Sequence, residues 1–143
     1  YGTSALTSLP VQNTMGVKSV YDIPTRCVEE QIRAILEDIP IDAVKIGVLH
    51  RHAIIESVGK ILKEFLIKNI VIDPVMVAKR GEALLIADSI AAMQEHLFPI
   101  TTILTPNLME ASVLLGREIT EKHQMEQAAL DLLEMGPKAV VVK

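Results

Sequence analysis

Short apolar, β-branched runs alternate along this chain with segments of helical periodicity, and no other feature constrains the fold as much. Two helical faces recur with the same spacing, at Val28, Ile32, Ile35, Leu36 and Ile39 and at Ile54, Val58, Ile61, Leu62 and Phe65. The apolar runs predict strands at 43–47, 69–73, 102–105 and 138–143. Because strands separated by helices form βαβ units, the sequence predicts an α/β protein with a mainly parallel sheet.

The remaining segments complete one α/β domain over the 143 residues. Near the start, Ala5 to Val11 has the character of a strand, with a proline that indicates an edge or a bulge. Helices are predicted from about Asp88 to Leu97 and from Asn107 to near Gly116. A last helix, stopped by Gly136-Pro137, can be N-capped by Thr120 and would turn inward Met125, Ala128, Ala129, Leu132 and Leu133.

Composition excludes several classes of partner. The net charge of −4 lacks the basic stripe that nucleic-acid binding needs, so no nucleic-acid partner is expected. No apolar stretch approaches the ~18 uncharged residues of a membrane span. The single cysteine, Cys27, suits a reducing compartment, and its place beside apolar helix positions predicts a buried or half-buried thiol. A soluble cytoplasmic protein is the simplest interpretation.

Polar side chains follow the strands at the points where the strands end. They are Gln12-Asn13-Thr14, Asp73, Thr105-Pro106-Asn107 with Glu110, and Lys143. The carboxyl ends of parallel strands meet at one edge of the sheet, where ligands bind in open α/β folds. A helix N-terminus and a lysine attract phosphate, and carboxylates hold Mg²⁺ directly or through water. The sequence therefore predicts a site for an anionic ligand with a divalent metal.

Each of these residues also has a purely structural explanation. Asn107 and Glu110 have the spacing of a capping box, and Asp73 before a proline can start a turn. Gln12-Asn13-Thr14 can be a polar turn, and Lys79-Arg80-Gly81 a solvated one. His50 and His52 lie two residues apart without a third metal ligand in view, which argues against a metal site there. The sequence has no Gly-x-x-x-x-Gly-Lys-Ser/Thr loop, so a P-loop nucleotide site is excluded within this chain.

The motifs also occur in a recognisable order. They are Pro10-Val11-Gln12-Asn13-Thr14-x-Gly16-Val17, Lys45-Ile46-Gly47, Asp73-Pro74-Val75-Met76, Lys79-Arg80-Gly81 with Leu84-Leu85, Leu104-Thr105-Pro106-Asn107-x-x-Glu110-Ala111 and Val140-Val141-Val142-Lys143. This ordered set closely resembles the hydroxymethylpyrimidine/phosphomethylpyrimidine kinases of thiamine biosynthesis, within the ribokinase-like superfamily. The resemblance implies a three-layer α/β/α fold with a mainly parallel sheet.

The resemblance also implies an activity and roles for particular residues. Members of the hydroxymethylpyrimidine/phosphomethylpyrimidine kinase family use ATP and Mg²⁺ to phosphorylate 4-amino-5-hydroxymethyl-2-methylpyrimidine and then its monophosphate. By resemblance, Gln12 would hydrogen-bond the aminopyrimidine edge, and Val48 and Val75 would form apolar walls. Asn107 and Lys143 would act at the nucleotide and transferred phosphates, with Asp73 and Glu110 near Mg²⁺. The loop Val77 to Leu84 would close over the substrate. Many relatives form homodimers.

The family pattern extends beyond both ends of this chain. The chain starts at Tyr1 without a Met and stops at Lys143, directly after an apolar run. The family's glycine-rich opening segment and its Gly-Thr-Gly-Cys-type segment would lie upstream and downstream. We therefore expect one incomplete kinase domain over residues 1–143, with the catalytic group beyond Lys143 and no activity in the chain alone. Two alternatives remain, a pyridoxal or pyridoxine kinase and a shortened, non-catalytic pyrimidine-binding relative.

Overall fold

The computed structural model describes residues 2–76 and 87–143. Its strands are β1 (Ser8–Asn13), β2 (Gly16–Asp22), β3 (Val44–Ile46), β4 (Ile70–Ile72), β5 (Ile103–Leu104) and β6 (Ala139–Val140). Its helices are α1 (Thr25–Asp38), α2 (His52–Glu64), α3 (Ala87–His96), α4 (Leu108–Leu115) and α5 (Lys122–Leu133), with a short 3₁₀ helix at Phe98–Ile100. The predicted loop Val77 to Leu84, with Lys79-Arg80-Gly81, lies outside the described residues. None of the described helices has the length and apolar character that crossing a membrane requires.

Strands β3, β4, β5 and β6 form a parallel sheet in that order. The register pairs Ile46 with Ile72, Ile72 with Leu104, and Leu104 with Val140. The predicted α/β class with a mainly parallel sheet is confirmed. Neighbouring strands are parallel and their carboxyl ends lie at similar positions along the sheet. The same edge of the sheet therefore carries Asp73, Thr105 and the segment up to Lys143.

The first predicted strand does not belong to this sheet. Among the described residues, β1 pairs with β2 alone, as an antiparallel hairpin. The turn between them is stabilised by Asn13, whose side-chain oxygen accepts a hydrogen bond from Met15 N at 2.9 Å. The expectation that Gln12 ends a strand of the parallel sheet is therefore wrong. The sequence pattern did not predict β2, so the hairpin was not predicted either.

The core lies on one face of the sheet. Ile46, Ile72 and Leu104 share a register position and are buried, together with Ile54, Ile55, Val58, Ile61 and Leu62 of α2. The opposite face carries Lys45, Val71, Ile103 and Ala139, which are exposed or half-buried. The predicted apolar face of α2 is thus confirmed, apart from the half-exposed Phe65. On α1, only Val28 is fully buried.

Two local predictions need correction. Cys27 is exposed, because its neighbour Val28 takes the buried position on α1. Glu121, not Thr120, is the N-cap of α5, because the helix begins at Lys122 and Gln124, three residues after Glu121, closes a capping box with it. By contrast, α4 begins after Asn107 and ends at Gly116 as predicted. Gly116 has the left-handed φ of 63° that favours glycine at a helix end.

Candidate functional site

The carboxyl edge of the sheet gathers two lysines around one carboxylate. Lys143 Nζ donates to Asp73 Oδ1 at 2.7 Å, although the two residues are 70 positions apart. Lys45 Nζ lies 3.6 Å from Asp73 Oδ2, and the Thr105 hydroxyl lies 3.3 Å from Oδ1. Asp73 and Lys143 were both predicted for this edge. Lys45 and Thr105 were not assigned a role, although both occur in the quoted motifs.

The lysines control the charge of Asp73. The hydrogen bond from Lys143, together with the positive charges of Lys143 and Lys45, holds the pKa of Asp73 below its ordinary value of 3.8. Partial burial of the carboxyl group acts in the opposite direction but is outweighed. Asp73 is therefore ionised at neutral pH, and the three side chains together carry one net positive charge.

Glu110 forms the second acidic position at this edge. Its carboxylate accepts a hydrogen bond from Asn107 N at 2.8 Å, while Asn107 Oδ1 accepts one from Glu110 N at 2.8 Å. These reciprocal bonds are the capping box that the sequence spacing indicated. Glu110 is only 5% exposed, and this burial raises the pKa of its carboxyl group, with a further rise from the charge of Asp73. Glu110 therefore has the structural role of a capping residue and also lies at the predicted edge of the sheet.

The arrangement fits a phosphate-bearing ligand accompanied by Mg²⁺. Lys45, Lys143 and the N-terminus of α4 can neutralise phosphate oxygens. Asp73 and Glu110 could hold Mg²⁺ through water, but Asp73 is already bound to Lys143. Within the described ranges, no group of three His, Cys, Asp or Glu side chains could hold a metal. A magnesium ion that retains waters and is held mainly by substrate phosphates suits this donor set.

The predicted pyrimidine residues are placed at two different locations. Val48 and Val75 are half-buried and follow the neighbouring strands β3 and β4, so they lie at the same edge as Asp73. Gln12 is exposed on β1, near the tip of the hairpin. The hairpin approaches the edge at its base, where the Thr7 hydroxyl donates to the Val48 carbonyl oxygen at 2.8 Å. The structure thus places Val48 and Val75 at the same edge of the sheet as Asp73, whereas Gln12 lies on the separate β1–β2 hairpin.

His50 and His52 each lie beside a carboxylate. His50 Nε2 lies 2.6 Å from Asp22 Oδ1, and His52 Nδ1 lies 3.2 Å from Asp88 Oδ1.

A depression of about 440 Å³ lies at the opposite edge of the sheet, between the loops that precede β3 and β4. Its lining includes Ile39, Phe65 and Leu66 and none of the predicted site residues.

Comparison with known proteins agrees with this description. The sequence model of the phosphomethylpyrimidine kinase family matches residues 1–143. The hydroxymethylpyrimidine/phosphomethylpyrimidine kinase of Escherichia coli is 41% identical over 145 residues, which cover all of this chain and 54% of that protein. The crystal structure of phosphomethylpyrimidine kinase from Clostridium difficile superposes with a TM-score of 0.91 at 38% identity, covering all of this chain and 62% of the other.

A related enzyme class also matches. The ADP complex of Bacillus subtilis pyridoxal kinase has a TM-score of 0.88 at 37% identity, covering 99% of this chain and 54% of the other. The chain therefore spans about half the length of the relatives it matches. The parallel sheet and its charged edge, with these neighbours, define an α/β fold of the ribokinase-like kinase class. The chain belongs to the phosphomethylpyrimidine kinase family.

Proposed function

We propose that the protein containing this chain transfers a phosphoryl group from ATP, with Mg²⁺, to 4-amino-5-hydroxymethyl-2-methylpyrimidine and to its monophosphate. The observation that carries this proposal is the Lys143–Asp73 pair at the carboxyl edge of the sheet, next to the capped N-terminus of α4. Phosphoryl transfer depends mainly on positioning and charge neutralisation, and this edge offers both. The family to which the chain belongs supports the choice of substrate.

The proposed roles follow from the position of each side chain. Lys143 and Asn107 contact phosphate oxygens, since an ammonium group and a helix N-terminus both attract anions. Asp73 and Glu110 organise Mg²⁺ and its waters. Val48 and Val75 supply apolar walls for the ring, and the Gln12 amide both donates to and accepts from the aminopyrimidine edge.

We propose that the chain by itself does not catalyse the reaction. Support comes from its length, which is about half that of the relatives it matches. No described side chain at the edge is placed as an obvious base for the substrate hydroxyl, because Asp73 is bound by Lys143 and Glu110 by the capping box. The group that activates the hydroxyl then lies in the rest of the protein.

Pyridoxal or pyridoxine phosphorylation is the second candidate activity. The likeness to Bacillus subtilis pyridoxal kinase favours it, because the identity and the TM-score are close to those of the pyrimidine kinases. A non-catalytic pyrimidine-binding protein is the third candidate. The predictions of a cytoplasmic location, a homodimer and no nucleic-acid partner belong to the same proposal and are carried by the net charge and the family resemblance.

The test is a phosphorylation assay on the full-length protein and on this chain, with ATP, Mg²⁺ and either hydroxymethylpyrimidine, its monophosphate or pyridoxal. We expect the full-length protein to phosphorylate both pyrimidines faster than pyridoxal, and the chain to be inactive. Faster turnover of pyridoxal would transfer the proposal to the second candidate. Binding of pyrimidine without turnover of any substrate by the full-length protein would favour the third.

A Gln12→Ala variant of the full-length protein tests the pyrimidine site directly. Loss of a paired hydrogen bond should raise the KM for hydroxymethylpyrimidine about tenfold or more and leave the KM for ATP unchanged. Gln127→Ala serves as the matched control, since Gln127 is an exposed glutamine of α5 bonded to Asp131. An unchanged pyrimidine KM in Gln12→Ala would contradict the role of Gln12.

A further inference from the structure

The hairpin that carries Gln12 does not bury its apolar side chains among the described residues, since Leu9, Val11 and Tyr21 share one of its faces and are exposed. All residues of β1 and β2 are exposed or half-buried, and within the described residues the two strands pack mainly against each other. A two-stranded hairpin is only marginally stable in water. Within the described residues, its direction relative to the sheet therefore depends on the few contacts at its base.

Besides the Thr7–Val48 bond and the bonds between Gln31 and Leu6, three charged or titratable side chains meet at this base, and we call them the Asp22 cluster. Asp22 is the last residue of β2 and pairs with Ser8 across the base of the hairpin. Its carboxylate accepts a hydrogen bond from His50 Nε2 at 2.6 Å and is also bound by the Arg51 guanidinium. The hydrogen bonds from His50 and Arg51 hold the pKa of Asp22 below its ordinary value, so the carboxylate is ionised at neutral pH.

The other side of the cluster is fixed to the core. The carbonyl oxygen of Arg51 accepts hydrogen bonds from the first turn of α2, at 3.1 Å from Ile54 N and 3.0 Å from Ile55 N. The hydroxyl of Ser89, a buried residue of α3, donates to the His50 carbonyl oxygen at 3.0 Å. His50 is itself largely buried, with 17% of its side chain exposed. The cluster thus joins a poorly supported hairpin to two well-packed helices.

A small change in the tilt of the hairpin at its base produces a larger displacement at Gln12. Four residue steps separate Ser8 from Gln12, which corresponds to about 13 Å along the strand. A tilt of about 10° at the base would therefore move the Gln12 backbone by about 2 Å. A displacement of about 2 Å is enough to break a hydrogen bond from Gln12 to the substrate, because such bonds need donor–acceptor distances of about 2.7–3.2 Å.

We propose that Asp22, His50 and Arg51 are positioning residues that set the direction of the hairpin and thereby place Gln12 for the pyrimidine. This inference rests on the proposed function of Gln12. It also gives a role to His50, which the sequence singled out only as a weak metal candidate. Position 50 requires a side chain that donates to Asp22, so glutamine should replace histidine there and alanine should not.

The experiment measures the direction of the hairpin and the kinetics separately, in the full-length protein. Spin labels at Met15→Cys, on the hairpin, and Leu130→Cys, on α5, report the distance between hairpin and core in a background without other cysteines; both sites are exposed. We expect His50→Ala and Asp22→Asn to broaden or shift this distance distribution. They should raise the KM for hydroxymethylpyrimidine about tenfold, because the Gln12 hydrogen bond is lost, and change kcat and the KM for ATP by less than about twofold.

His50→Gln should restore both the distance distribution and the pyrimidine KM. His123→Ala is the matched control, because His123 is an exposed histidine of α5. An unchanged distance distribution in His50→Ala and Asp22→Asn would overturn the inference. It would also be overturned if the distribution broadened and the pyrimidine KM stayed constant while Gln12→Ala raised that KM. If Gln12→Ala has no effect either, the proposed role of Gln12 fails, and the distance measurement alone decides whether the cluster directs the hairpin.

Discussion

Two carboxyl groups at one edge of the sheet have pKa values that are shifted in opposite directions. Asp73 is held ionised by Lys143 and Lys45, whereas burial raises the pKa of Glu110 above its ordinary value of 4.5. Neighbouring acids whose pKa values are shifted in opposite directions are typical of functional sites. The same residues also have structural roles, so their position in the capping box does not argue against a role in binding.

The Glu110 titration provides a test at this scale. The charge of Asp73 raises the pKa of Glu110 and Lys143 lowers it, so Asp73→Asn should lower that pKa and Lys143→Met should raise it. Because the pKa of Glu110 is raised in the folded protein, its contribution to the free energy of unfolding is fully present well below pH 4.5. This contribution is lost as the pH rises through the folded-state pKa and Glu110 ionises. Carboxyl carbon chemical shifts followed from pH 3 to 8 measure the midpoint. Shifts in the same direction for both variants would contradict this electrostatic account.

At the scale of elements, local signals and long-range contacts have different roles. The capping box fixes where α4 begins, and replacement of such a cap by alanine typically costs about 1 kcal/mol. Packing between helices depends instead on single close approaches. Gly59 of α2 is one of these, because a Cβ atom there would lie 2.8 Å from the backbone oxygen of His96 at the end of α3.

Gly59→Ala tests this close approach. Alanine is the better helix former by about 1 kcal/mol, but the overlap with His96 must push the two helices apart. We expect a net loss of about 1–2 kcal/mol in the free energy of unfolding, measured by urea denaturation. Gly47→Ala is the control, since a Cβ atom at Gly47 meets nothing within 4 Å, and its stability should be unchanged or slightly higher. Equal effects of the two substitutions would exclude a steric role for Gly59.

At the scale of the whole molecule, the described residues divide into a packed core and a hairpin with little burial. Ile70, Ile72 and Leu104 are fully buried, whereas Val11 and Val20 of the hairpin are exposed. Stability is not uniform in such a structure, since segments with few buried contacts open locally at low cost. The hairpin should therefore open locally more readily than the core, which makes its base contacts important for the position of Gln12.

Amide hydrogen exchange of the native protein tests this division. We expect the backbone amides of β4 and β5 to exchange by global unfolding and those of β1 and β2 by local opening, at least about tenfold faster. Leu104→Ala should lower core stability by about 2–5 kcal/mol and accelerate exchange in the sheet without changing it in the hairpin. Leu130→Ala, at a 51% exposed position, is the control and should change little. Coupled changes in the hairpin and the sheet would show that the molecule opens as one unit.

Much of the fold followed from local patterns. The β-branched runs predicted β3, β4, β5 and β6, the apolar spacing predicted α2, and Asn107, Glu110 and Gly116 predicted the ends of α4. These features depend on neighbours within a few positions, so they can be recognised without knowing the fold. β2 could not, because its sequence includes Lys18, Ser19 and Asp22 and is exposed, so it lacks the alternation of a half-buried strand.

The sequence by itself determined the parallel sheet and, through the shared direction of its strands, the meeting of Asp73 with Lys143. Only the tertiary structure decided that Lys45 and Thr105 also face Asp73, that burial shifts Glu110, and that Gln12 stands on a hairpin held by Asp22, His50 and Arg51. The reason is physical. Periodicity and capping are properties of short segments, whereas contacts between elements depend on strand register, loop paths and burial, which exist only once the chain has packed.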